Sequence, residues 1–166
     1  MADPHLAPEL DGFDRLTVRL YRLALLVGAV ALGLVGWGMW TRDTPLTLTG
    51  RWWISLAAAV GVWNLHLYDR RLRWLLALLV LGGLLSLNLA PLLLDDPAWW
   101  AREVGLGLHL AALAALVVKE GFCFRLWASR LTPLLMAASF AGHALGYRFW
   151  TAVLFALAAL ALLVVA

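Results

Sequence analysis

Six long apolar runs divide the chain, and the polar residues gather between them. The runs cover residues 23–40, 52–68, 74–94, 104–118 (extendable back to 98 through Arg102 and Glu103), 131–147 and 149–166. A helix needs about 20 mostly apolar residues to cross hydrocarbon. The runs are continuously apolar, whereas barrel strands alternate every second residue. A helix also satisfies its backbone within one segment, as lipid requires. Short connections make sequential helices antiparallel neighbours. The pattern predicts an all-α fold, a polytopic transmembrane helical bundle of six spans occupying residues 23–166. Residues 1–22 form an acidic N-terminal tail followed by a basic juxtamembrane segment.

Charge orients the bundle. Arg15, Arg19 and Arg22, then Arg70, Arg71 and Arg73, then Lys119, Arg125 and Arg130 fall on one side. Arg42, Arg51, Arg102 and Arg148 fall on the other. Nine against four places both termini in the cytoplasm by the positive-inside rule. Trp40, Trp52, Trp53, Trp74, Trp99, Trp100 and Trp150 sit at predicted span ends, where indole anchors at headgroup level. The first residues are acidic and proline-containing, unlike a cleavable signal, and no lipidation motif is expected.

Composition agrees. Hydrophobic residues make up 64% of the 166 and charged residues 14%, against about 45–50% and about 25% in soluble domains. Mean hydropathy is +0.86. A small soluble domain keeps too much surface wet to bury so much apolar material, and disorder requires low hydrophobicity. The net charge of +3 therefore reads as topology, with no nucleic-acid partner expected. The expected partners are the lipid bilayer, other membrane proteins or a second copy of the chain.

Polar residues inside the runs are the functional candidates, because each is costly in hydrocarbon. They are Asn64, His66, Asn88, His109 and His143. Topology puts Asn88, His109 and His143 at one depth near the non-cytoplasmic face, and His66 at the opposite interface. Two histidines at one depth could ligate a haem or pigment, relay protons, or simply hydrogen-bond between helices. No metal set, cofactor or catalytic constellation is expected, and no span carries a buried acid–base pair. Small residues at spacing four (Ala24, Gly28 and Gly36; Ala138, Gly142 and Gly146) suit close helix packing or a partner's face.

The segment Lys119-Glu120-Gly121-Phe122-Cys123-Phe124-Arg125 closes the fourth run. Lys119 and Glu120 point in different directions and both could snorkel. Gly121 could cap the helix, returning Phe122 and Phe124 to the interface around Cys123, itself either palmitoylated or buried. With Pro133 and Gly142-His143 downstream, the segment resembles a family of integral membrane proteins of cyanobacteria and plastids defined only as a domain of unknown function. The resemblance implies a plasma or thylakoid membrane location. It draws attention to Lys119, Glu120, Phe122, Cys123 and Phe124 without supplying a reaction.

These features predict a non-catalytic interaction or assembly component of a larger membrane complex. A small transporter or channel with a polar path through Asn88, His109 and His143 is the first alternative, and a haem- or pigment-binding protein the second.

Overall fold

In a computed structural model of the protein, residues 12–65, 70–89, 98–124 and 127–166 are described. Among them the structure is all helical, with six helices: α1 (Gly12–Thr41), α2 (Thr44–Trp63), α3 (Arg70–Leu84), α4 (Ala98–Phe124), α5 (Ala128–Ala144) and α6 (Arg148–Val165). Each apolar run lies largely within one helix. A π-helical turn, Leu85–Leu89, continues α3. Three stretches are long and apolar enough to cross a membrane: Gly12–Thr41, Trp100–Glu120 and Arg148–Val165.

Local chemistry sets several boundaries. Arg42 takes a left-handed φ of 61°, ending α1 and letting the chain reverse. The Asp43 side chain then accepts from Leu46 N–H at 2.9 Å, with proline in the first turn of α2. This is the N-cap acid and early proline of a well-formed helix start. It begins α2 eight residues before the apolar run at 52–68, and the helix stops at Trp63 with Asn64 as its cap. The Asn64 side chain folds back to the Val60 carbonyl at 2.8 Å, so its amide is spent on the end of its own helix. At the end of α5, Gly146 adopts φ 79°. Its N–H bonds His143 O, and Tyr147 N–H bonds Gly142 O. This paired closure satisfies two terminal carbonyls and suits glycine. Gly121, expected to act as a cap, instead lies inside α4, which continues to Phe124. Pro133, third in the run that starts at residue 131, lies inside α5 because that helix begins at Ala128.

The helices pack as neighbours in a ring. α1 lies between α2 and α6, and α5 lies between α6 and α4. α2 meets α4 to close the circuit, and α3 sits outside against α2 and α4. Glycines bring the backbones together. A Cβ on Gly50 would stand 2.9 Å from Val35 N and 3.0 Å from Ala31 O. Gly38 abuts Thr47 and Gly61 abuts Leu116 and Ala24, so α2 runs antiparallel beside α1. Gly28 faces Leu162, and Gly36 faces Ala152 and Phe155, so α6 is antiparallel to α1 as well. The start of α1 and the end of α6 therefore share one end of the bundle. The small residues of α1 pack inside the molecule. In α5, Gly142 meets Thr151 of α6, whereas Ala138 is exposed and Gly146 belongs to the turn, so this set does not pack inside the molecule as that of α1 does.

Candidate functional site

α2, α4 and α5 each bring one ionisable side chain to a common point. Arg51 lies in the second turn of α2 and is buried. Glu103 is in the second turn of α4, and His143 is in the last turn of α5. Arg51 Nη2 donates to Glu103 Oε1 at 3.0 Å. His143 Nε2 stands 2.8 Å from Glu103 Oε2 and 2.9 Å from Arg51 Nη2. The exposures of the three side chains are 8%, 22% and 25% in the order Arg51, Glu103, His143. The network is therefore sheltered without being sealed.

One imidazole nitrogen cannot serve both neighbours at once. With a proton on Nε2, His143 donates to Glu103 Oε2, which has no other hydrogen-bond partner. Without that proton, Nε2 accepts from Arg51 and the carboxylate oxygen is left bare. The position of a single proton thus selects between two bonding patterns. Arg51 Nε is also buried without a partner.

One turn along α2 from Arg51, Ser55 Oγ donates to the Arg51 carbonyl at 3.1 Å. Its oxygen lies 3.3 Å from His109 Nδ1. With its own proton spent on that carbonyl, the hydroxyl accepts from Nδ1–H. His109 is 1% exposed, and its ring lies against Gly83, where a Cβ would come within 2.7–2.9 Å of the ring atoms. The carbonyls of Gly105 and Val80 also face the imidazole. Six residues separate Glu103 from His109, so the second contact lies about 9 Å further along α4. Beyond it, the buried side chains of α4 are apolar (Leu110, Ala112, Leu113, Leu116 and Val117) until Glu120.

The expected cluster of Asn88, His109 and His143 is thus divided. His143 joins Arg51 and Glu103, His109 joins Ser55, and Asn88 lies in the π-helical turn with its side chain outside the described residues. His66 lies outside the described residues. Arg51 and Glu103 pair across α2 and α4 because both helices extend beyond their apolar runs, a contact that the sequence alone does not lead one to expect. Arg51 had the look of a topology marker, and Glu103 lay outside the core of the fourth run. The signal that could have placed Arg51 inside was Asp43 and Pro45, which start α2 early.

At the opposite end, Lys119 Nζ bonds Glu120 Oε1 at 3.0 Å. It also stands 4.7 Å from the Tyr21 ring centroid. Tyr21 Oη donates to Leu116 O at 3.0 Å. Lys119 and Glu120 therefore converge, contrary to expectation. The flexible lysine stem wraps across the 100° between adjacent helical positions, and Glu120, at 5% exposure, points into the bundle. The backbones of Phe122, Cys123 and Phe124 are helical, and their side chains lie outside the described residues.

Fold and site together define a class: a small, apolar, all-helical bundle with an ionic network joining three helices near one end. An uncharacterized protein of Haemophilus influenzae is 34% identical to the chain over 138 residues, covering 82% of this chain and 71% of the relative. The chain belongs to the same family as that protein. No family model matches it, and no solved structure does.

Proposed function

We propose that the protein is an integral membrane protein that crosses the bilayer six times, with both termini cytoplasmic, and serves as a non-catalytic component of a larger membrane assembly. The observation that carries the membrane reading is the outward face of the helices. Leu23, Leu26 and Val30 of α1, Leu75 and Leu78 of α3, Leu134 of α5, and Leu157, Leu160 and Leu163 of α6 are all exposed. So are Trp40, Trp52, Trp53, Trp74, Trp100 and Trp150. Contiguous apolar surface on this scale is abnormal in water and natural in lipid. The antiparallel packing of α2 and α6 against α1 favours an even number of crossings. The arginine-rich end, with Arg15, Arg19, Arg70, Arg71 and Arg73, is the cytoplasmic one by the positive-inside rule. That leaves the Arg51–Glu103–His143 network toward the other face.

Two features favour an assembly role over a conducting one. The ionisable groups of the network are engaged with one another across helices, and the polar line ends at His109 against an apolar interior. The larger partners would be other membrane proteins or further copies of the chain. Native purification in mild detergent tests this: a co-purifying membrane protein or a defined homo-oligomer is expected, and a lone monomer with no cross-linked partner in intact cells would refute it. The transport reading keeps one supporting observation, the placing of His143 Nε2 within bonding distance of both Arg51 and Glu103. It requires flux in reconstituted vesicles that His143→Ala abolishes, and unaltered flux in that variant would remove the network from any path.

A further inference from the structure

A cavity of about 350 Å³ opens at the same end as the ionic network, lined by Arg42, Thr44, Thr47, His143, Gly146 and Arg148 among others. Among the described residues, no acidic one lines it. That volume is within the range of small-molecule sites, about 300–1,000 Å³. The two guanidiniums come from different turns, Arg42 between α1 and α2 and Arg148 at the first residue of α6. Neither is paired with a carboxylate among the described residues. Arg42 is held at φ 61°, a conformation that non-glycine residues adopt rarely and often at functional turns.

The donors around the cavity favour an anion. The Thr44 hydroxyl has no partner in the described structure, whereas Thr47 Oγ1 already donates to Asp43 O at 2.9 Å. The leading N–H of α6, that of Arg148, is spent on Gly146 O at 2.9 Å, so the donors offered to the cavity are side chains. Asp43, the neighbouring acid, is occupied with capping Leu46 N–H. His143 forms the cavity wall that touches the network.

We propose that this cavity is a binding site for a phosphate group, whether carried by inorganic phosphate or by the headgroup of an anionic phospholipid. Arg42 and Arg148 grip the phosphate oxygens from two sides, since guanidinium forks match phosphate geometry. The Thr44 hydroxyl completes the donor set. The site depends on the bundle alone and not on which way the bundle is threaded: reversed topology would overturn the orientation proposed above and leave this binding intact.

The test uses the full chain, purified and stripped of lipid. Inorganic phosphate is titrated calorimetrically, and phosphatidylglycerol is titrated by native mass spectrometry. Saturable binding of one equivalent is expected for at least one probe. Binding of phosphate alone assigns a free anion, and selective retention of phosphatidylglycerol assigns a lipid headgroup. The double variant R42Q/R148Q is expected to weaken binding at least tenfold. Arg102→Gln, which removes an exposed charge outside the cavity lining, is expected to leave it unchanged. Equal loss in R102Q would reduce the effect to general interfacial charge and overturn the site, as would the absence of saturable binding to either probe. If the double variant does not fold, Arg148→Gln alone carries the same comparison with a smaller expected loss.

Discussion

The two ends of the bundle hold charge in opposite ways. At one end, Arg51, Glu103 and His143 come from three helices and meet under partial shelter. At the other, Lys119 and Glu120 are consecutive residues of one helix, and the lysine is 28% exposed. The first arrangement ties α2, α4 and α5 together, so losing a member strands a partner that is fixed by the fold. The second is local, and Lys119 can swing toward headgroups if Glu120 is neutralised. The same kind of ion pair therefore has different consequences, determined by whether its members share a helix.

The largest expected effect is at the interhelical end. Glu103→Ala leaves the buried Arg51 uncompensated, a loss of about 3 kcal/mol for a pair of this burial. Thermal unfolding in detergent should show a clear fall in midpoint, and an unchanged midpoint would dissolve the contrast between the two ends. Next comes Gly50→Ala, whose added methyl would press on the α1 backbone at Val35 and Ala31. Overpacking here should cost about 2 kcal/mol. Gly33→Ala is the matched control, since nothing lies within 4 Å of a Cβ there; equal destabilisation by both would mean that α1 and α2 are not in the contact described.

Ser55→Ala should cost about 1 kcal/mol by removing the partner of His109 Nδ1. It should also shift that nitrogen's NMR resonance, and an unperturbed imidazole would show that the hydroxyl is not its acceptor. The smallest effect is expected for Glu120→Gln, below about 1 kcal/mol, because the freed lysine is solvated locally. A loss there equal to that of Glu103→Ala would reverse the comparison.

The helices were legible because their apolar runs are long and lightly interrupted. Their ends were less so. α2 extends eight residues before its run, and the Asp43 cap and Pro45 that start it lie in a polar stretch that reads as a loop. That misplacement hid Arg51. Glu103 was hidden similarly, at the edge of a run where α4 continues into charged sequence. His143 was visible as a histidine in an apolar run, yet its partners are 92 and 40 residues away, and no local periodicity reveals a contact between helices at such separation. The Lys119–Glu120 contact was missed for a different reason. Backbone geometry separates adjacent positions, and side-chain length brings their ends together.

The lipid contact of the outer face and the orientation of the network both depend on how the chain is threaded through a membrane. Single cysteines at exposed sites near the two ends, Phe13→Cys and Tyr147→Cys, each in a Cys123→Ser background, give the most direct reading. In intact cells an impermeant thiol reagent should label Tyr147→Cys and should reach Phe13→Cys only after permeabilisation. Labelling of Phe13→Cys alone, equal labelling of both without permeabilisation, or recovery of the protein in a detergent-free supernatant would contradict it.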